Sequence, residues 1–366
     1  VAHRESVLEG LVTMFWQGKR VFLTGHTGFK GAWLSLWLNF LGAKVTGYAL
    51  KPPTSPSLYD LAGLDQRIDS HIADIRDLEA LTRAMADSRA GIAVHMAAQS
   101  LVRPSYTDPV YTYETNIMGT VHFLEAVRRT PGIRAALVVT SDKCYQNDGE
   151  IHAESDPMGG RDPYASSKGC AELITAAYRD SFFSAYGDRG IAIASARAGN
   201  VVGGGDWAGD RLLPDCIRAL ENGTPIPVRN PKAIRPWQHV LDCLQGYLLL
   251  IEKLYEDGPA YAGAYNFGPV EGETHTAEWV ADRVCAAWGR DASYTVSPEE
   301  NAPPEAPVLR LNSTKARREL GWEPGLSAAQ AIDWTVDWYR RYGRISPADL
   351  CEEQIRGYME GHRGVS

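Results

Sequence analysis

The chain has 366 residues, 44% hydrophobic and 22% charged, with 37 Lys and Arg against 45 Asp and Glu for a formal net charge of -8. That length buries a large core and predicts two domains. It carries no basic block that would select nucleic acid or an acidic membrane and no apolar run near the ~20 residues that span a bilayer. The six cysteines (Cys144, Cys170, Cys216, Cys243, Cys285 and Cys351) form no C-x-x-C pair and no zinc spacing with histidine, so they read as reduced thiols of a cytoplasmic protein with no metal site.

The mixed, charged start does not read as a secretory signal, and Met14 before Phe15-Trp16-Gln17-Gly18-Lys19 reads as a natural start, which makes residues 1–14 an N-terminal extension. Val21-Phe22-Leu23 predicts a first strand. Ala32 to Leu41 predicts a strongly apolar helix closed by Gly42. Lys44 to Leu50, Ile92 to Met96, Ala135 to Thr140 and Ile191 to Ala196 predict further strands, with helices over Val110 to Arg129 and Tyr164 to Tyr186. This alternation predicts an α/β fold: a Rossmann-like, doubly wound parallel sheet over residues 15–199. After Gly199 the chain turns to longer loops with Pro214, Pro225, Pro227, Pro231 and Pro236, and a second proline cluster runs from Pro298 to Pro307. Residues 200–366 therefore read as a smaller, loop-rich C-terminal substrate domain. A strand near 262–270 is expected to return to the first domain.

Thr24-Gly25-His26-Thr27-Gly28-Phe29-Lys30-Gly31 joins the first strand to the first helix with G-x-x-G-x-x-G spacing. Gly25 permits a tight turn, Gly28 close approach to a pyrophosphate, and Gly31 close helix packing. Helix amides with their partial positive charge then meet the phosphates. Thr27, Phe29 and Lys30 belong to the same candidate cofactor turn. The acidic residue expected about 20 positions on for a ribose hydroxyl is absent; Lys51 and Thr54 stand there instead, which leaves NAD and NADP both open. Asp74 and Ile75 are candidates for an adenine contact, with an ordinary strand end as the alternative.

Tyr164-Ala165-Ser166-Ser167-Lys168 places a phenol and an ammonium four apart on one helix face. The ammonium is expected to favour the tyrosinate and to bring a phenol that ordinarily titrates near ~10 toward neutrality. Such a phenol exchanges a proton with a substrate hydroxyl while a nicotinamide takes the hydride. Ser141-Asp142-Lys143 adds a second acid/base couple that alcohol oxidation does not require, and so points to a lyase. Taken alone, a Ser-Asp-Lys tripeptide is a polar loop and Tyr-x-x-x-Lys a solvated helix face. Their joint occurrence after a strand and on a helix favours the chemical reading.

These motifs, with His95-Met96-Ala97-Ala98-Gln99, resemble the extended short-chain dehydrogenase/reductase family that modifies nucleotide sugars. Thr140 to Tyr145, Ala198 to Trp207, Ile234 to Val240 and Leu320-Gly321-Trp322-Glu323-Pro324 narrow the resemblance to the CDP-glucose 4,6-dehydratases, from about Phe15 to past Trp322. The resemblance implies a redox-neutral cycle with NAD. The sugar is oxidised at C4 with Tyr164 as base and Ser141 orienting the hydroxyl; water leaves across C5 and C6; hydride returns to C6. Asp142 is the expected acid at C6 and Lys143 the C5 acid/base, so Lys143 must give up a proton and Asp142 must hold one, with the exchanged assignment open.

The resemblance also places Ala97 and Ala98 under the cofactor and makes His95 structural. Gln99, Tyr145 and Asn200 become candidate substrate residues. Arg211 and Arg235 become candidates for the diphosphate, where a planar guanidinium suits bidentate contact and a surface ion pair is the alternative. A homodimer through the Val110–Arg129 and Tyr164–Tyr186 helices is expected from the family. Two departures stand out: prolines in Asn301 to Pro307 where histidines are usual, and Lys51 where an acid is common. The competing readings are a nucleotide-sugar 4-epimerase, a 4,6-dehydratase for another nucleotide sugar, and an idle cofactor-binding scaffold. The last would be expected to have lost Tyr164 or Lys168.

Overall fold

A computed structural model describes residues 14–146, 149–183, 190–270, 272–289, 291–298 and 308–361. The extension before Met14 and the proline-bearing Asn301 to Pro307 lie outside them. Seven parallel strands form the central sheet: β1 (Arg20–Thr24), β2 (Lys44–Ala49), β3 (Asp69–Ile72), β4 (Ile92–His95), β5 (Ala135–Val139), β6 (Ala192–Ala198) and β7 (Gly263–Phe267). Their order is β7-β6-β5-β4-β1-β2-β3. The order reverses between β1 and β4, and the crevice beyond the carboxyl ends of those strands is where open α/β sheets bind ligands. This is the Rossmann-like doubly wound sheet expected from the alternation.

Strands β4, β5 and β6 are buried along their whole length, which is why they read as unbroken apolar runs. Helix α1 (Phe29–Phe40) is apolar on nearly every face because it too is covered twice. One side meets the sheet; the other meets the C-terminal helix Pro347–Gly361, where Trp37 and Tyr358 pack edge to face at 5.8 Å. Helix α1 starts at Phe29, three residues before its apolar run, because Gly28 is its N-cap.

The helix expected over Val110 to Arg129 contains a π turn at Glu114–Met118, followed by α2 (Gly119–Arg129). Helix α3 (Pro163–Tyr178) opens with Asp162, whose carboxylate accepts from Ala165 N at 2.8 Å, and Pro163 in its first turn. It also passes into a π turn, Arg179–Phe183, so the expected single helix to Tyr186 is not a continuous α-helix over its described part. Beyond Gly199, α4 (Val240–Asp257) packs on β5 and β6, and β7 pairs in parallel with β6 from Gly263↔Ala194 to Phe267↔Ala198. Later chain thus completes the sheet. Among the described residues no helix is long and apolar enough to cross a membrane.

Candidate active site

The glycine-rich turn closes the crevice at the end of β1. Gly25 has φ +80°, and a Cβ there would stand 2.6 Å from Ala97 N; at Gly31 it would stand 2.1 Å from Gly25 O. Only glycine allows both approaches. Gly28 caps α1 without any side-chain bond, which leaves the first-turn amides directed at the crevice. The turn therefore fits a dinucleotide pyrophosphate. Thr27 Oγ1 donates to Leu50 O at 2.8 Å and holds the turn against the end of β2. Thr24 Oγ1 bonds His95 Nδ1 at 2.8 Å and accepts from Met96 N and Ala97 N, joining β1 to β4. His95 is buried against Phe123, and burial pushes it down to about 3, so it is a neutral structural ring.

The catalytic candidates converge from β5 and α3. Strand β5 ends at Val139, and Ser141 then caps a single 3₁₀ turn, Asp142–Cys144. Ser141 Oγ donates to Asp142 Oδ1 at 2.9 Å and accepts from Lys143 N at 3.2 Å. Asp142 is buried, and its Oδ2 has no hydrogen-bond partner among the described residues. Helix α3 packs on this turn and puts Tyr164 and Lys168 beside it. Both are buried, and Lys168 Nζ donates to Val139 O at 3.4 Å.

Their electrostatics differ from the expectation for a Tyr-Lys pair. Burial pushes the Tyr164 phenol up to about 12, opposed by its hydrogen bond with Ser141 and by the Arg211 charge, with Asp142 and Asp162 adding to the rise. Burial and the neighbouring Lys30 cation take Lys168 down to about 8, against the pull of Glu172 and Cys144. In the protein by itself, desolvation is the largest cause of both shifts.

Arg211 also reaches this cleft. Its Nη1 pairs with Asp206 Oδ2 at 2.9 Å and its Nη2 donates to Ser100 Oγ at 3.2 Å. Lys30 extends from the turn to the same cluster. Asn200 is half-buried, and its carbonyl accepts from Gln238 N at 3.1 Å. Arg235 is buried in a short strand pairing with His275–Thr276, and one guanidinium nitrogen donates to Ile234 O. Phe29 lies against Gly203.

Two candidates for substrate contact are placed otherwise. Gln99 spends both amide hydrogens on Leu101 O and Thr112 Oγ1, and its Oε1 accepts from Leu101 N, so it braces its own loop. Tyr145 is buried behind the site, donating to Asn266 Oδ1 at 2.6 Å, accepting from Arg197 Nη1 at 2.6 Å and stacking on His152. Its pocket role is corrected to a structural one. Asp74 is engaged by Arg76 at 2.8 Å, which holds its carboxyl below the usual range, and Ile75 packs under Gly119.

Sequence reasoning missed several residues. Asn116, in the π turn, accepts from Gln99 N and donates to Ser167 Oγ at 2.9 Å, locking α3 to the loop after β4. A π turn inside a helix often marks a functional site, but nothing in the local sequence announces it. Glu172 lies one turn beyond Lys168. It accepts from Thr140, Ser195 and Arg197, in a network that ends at Tyr145 and Asn266. Tyr247, on α4, holds Lys30.

A parallel sheet with its switch point at a glycine-rich turn, and a Ser/Tyr/Lys cluster one helix away, define an extended short-chain dehydrogenase/reductase. The family model described as GDP-mannose 4,6 dehydratase matches residues 22–335, and the chain belongs to that family. It is 49% identical to the CDP-glucose 4,6-dehydratase of Salmonella typhimurium over 94% of this chain and 97% of that one. To the dTDP-glucose 4,6-dehydratase of Xanthomonas campestris it is 26% identical, over 87% of this chain and 92% of that one. Among solved structures it resembles the UDP-glucose 4-epimerase of Thermus thermophilus in complex with NAD, with a TM-score of 0.75 and 26% identity over 89% and 100% of the two chains.

Proposed function

We propose that the chain is an NAD-dependent nucleotide-sugar 4,6-dehydratase that converts CDP-glucose to CDP-4-keto-6-deoxyglucose. The observation that carries this reading is the Ser141-Asp142-Lys143 turn against Tyr164, its Ser141 and Asp142 buried and Asp142 Oδ2 unpartnered among the described residues. A plain oxidation or a 4-epimerisation uses Ser141 and Tyr164 and has no task for that carboxylate. The 49% identity to a CDP-glucose 4,6-dehydratase supports the choice of nucleotide.

Gly25, Gly28 and Gly31 with the first-turn amides of Phe29 and Lys30 would hold the pyrophosphate, and Ala97, Ala98, Tyr164 and Lys168 would border the nicotinamide end. When bound, the nicotinamide supplies reversible storage of one hydride, taken from C4 and returned at C6. Tyr164 receives the 4-hydroxyl proton, and Ser141 orients that hydroxyl. The C4 ketone then acidifies the C5 hydrogen, which Lys143 removes, while Asp142 protonates the departing C6 hydroxyl. Holding acid and base on consecutive residues places them at adjacent carbons, which is what an elimination needs. Arg211, open to the cleft and already oriented by Asp206, is assigned to the diphosphate, with Asn200 and Arg235 as further candidates on the loop-rich residues after Gly199.

The unpaired cysteines support work in the reducing cytoplasm. Val110, Tyr113, Met118, Leu173 and Phe182 are exposed on or beside α2 and α3, which supports a homodimer through these helices. The test is incubation with CDP-glucose, reading base-induced ultraviolet absorbance and the mass loss of one water. Turnover with another nucleotide sugar alone would overturn the choice of nucleotide. Isomerisation at C4 without water loss would overturn the dehydratase.

A further inference from the structure

Lys30 brings an ammonium into the glycine-rich turn, and its side chain runs inward. Nζ donates to Tyr247 Oη on α4 at 2.9 Å and stands 5.0 Å from the centre of that ring. Tyr247 is fully buried, one turn from Cys243, whose Sγ donates to Val240 O. Among the described residues no carboxylate forms an ion pair with Lys30. An ammonium has three donors, and this tether uses one. Burial lowers the Lys30 ammonium from its ordinary range, with Cys243, Arg211 and Asp142 as charged neighbours, and after burial Lys30 is the main cause that lowers Lys168. A desolvated cation with no counter-ion on the protein is costly, and such groups concentrate where function retains them.

We propose that Lys30 is a positioning cation of the reaction centre, directed at the nicotinamide rather than at the pyrophosphate, and that it disfavours the oxidised, positively charged ring relative to the reduced, neutral one. This rests on the NAD-dependent reading above. The proton and the hydride of the first step leave one H–C–O–H unit. If Tyr164 takes the proton, the ring that takes the hydride must face the same carbon, within the field of the cluster that Lys30 joins. A like charge in a dry site raises the free energy of the cationic ring and so draws hydride from the sugar. The conjugated alkene formed by water loss is a better hydride acceptor than the simple C4 ketone, so the return step tolerates the bias.

The test is direct binding of NAD⁺ and of NADH, by calorimetry without sugar, to the full chain and to Lys30→Met and Lys30→Arg. Lys30→Met is expected to bind NAD⁺ roughly tenfold tighter and to change NADH affinity less than about twofold, whereas Lys30→Arg keeps the parent ratio. Equal weakening of both forms would assign Lys30 to the pyrophosphate and overturn the proposal, as would an unchanged ratio. Should Lys30→Met not fold, Tyr247→Phe frees the ammonium and is expected to move the NAD⁺/NADH ratio part of the way; no movement overturns the proposal. A parent chain that binds neither form would instead overturn the cofactor reading itself.

Discussion

Helix α3 carries two buried charges one turn apart, Lys168 and Glu172, and their surroundings could hardly differ more. Glu172 accepts from Thr140, Ser195 and Arg197, and Arg197 passes its other nitrogen to Tyr145 and Glu154 O. Lys168 has one long bond to a carbonyl, a cation for a neighbour in Lys30, and beside it an Asp142 oxygen with no partner among the described residues. Both Glu172 oxygens are engaged, although Arg197 Nε has no partner among the described residues; a largely satisfied buried network rigidifies, whereas a poorly satisfied one in a cleft is poised for a ligand. The same helix thus serves as a strut on one turn and carries a proposed catalytic residue on the previous one.

The comparison can be broken in four places. The largest effect is expected at Tyr164→Phe: catalysis falls by roughly 10³-fold or more, with the melting temperature little changed, because the phenol's proton transfer is lost while its ring stays packed. Stopped-flow absorbance should then show no reduced cofactor on mixing with CDP-glucose. At the strut, Glu172→Gln is expected to cost about 3–5 kcal/mol of folding stability, because Arg197 is left buried and uncompensated. Urea unfolding measures this; a loss below about 1 kcal/mol would mean that the network is dispensable.

Lys143→Ala should slow turnover by about 10²-fold yet still allow oxidation at C4. A transient of reduced cofactor without water loss is the expected trace, and unimpaired turnover would remove Lys143 from the mechanism. The smallest effect is a pH dependence. Lys168 titrates at about 8 in the folded chain against 10.5 ordinarily, so above about 8 the folded state binds fewer protons than the unfolded one. Its contribution to stability therefore rises from about 8 to 10.5, while activity falls as pH passes through about 8 and the ammonium is lost. Opposite slopes in a melting series and a rate series on the parent chain check the sign. In Lys168→Arg the alkaline loss of activity should move upward.

Strands β4, β5 and β6 were legible because both faces are covered and the apolar runs are uninterrupted, whereas β3, Asp-Ser-His-Ile and largely exposed, offers no such run. The glycine-rich turn was legible because its spacing follows from backbone contact distances. Tyr164, Lys168 and the Ser141 turn could be read because each sits at a strand end or a helix start. Other residues depended on tertiary placement. The occupation of the Tyr145 hydroxyl depended on Asn266 and Arg197 being close in space, and that of Gln99 on Leu101 and Thr112. The Tyr164 phenol was expected to be lowered by Lys168, but burial is set by everything packed around it, and no spacing rule contains that quantity. Asn116 and Tyr247 lie inside helices where a polar residue or a tyrosine attracts no notice.

The late arrival of β7 has a consequence for synthesis. Strand β6 ends at Ala198, and its outer partner is complete only at Phe267, after α4 has emerged to cover β5 and β6. A growing chain therefore carries an open strand edge and a bare apolar face for on the order of ten seconds at ordinary elongation rates. Nascent chains stalled near Gly199 should recruit chaperones, and a fragment ending there should aggregate even though it contains the cofactor turn and all the proposed catalytic residues.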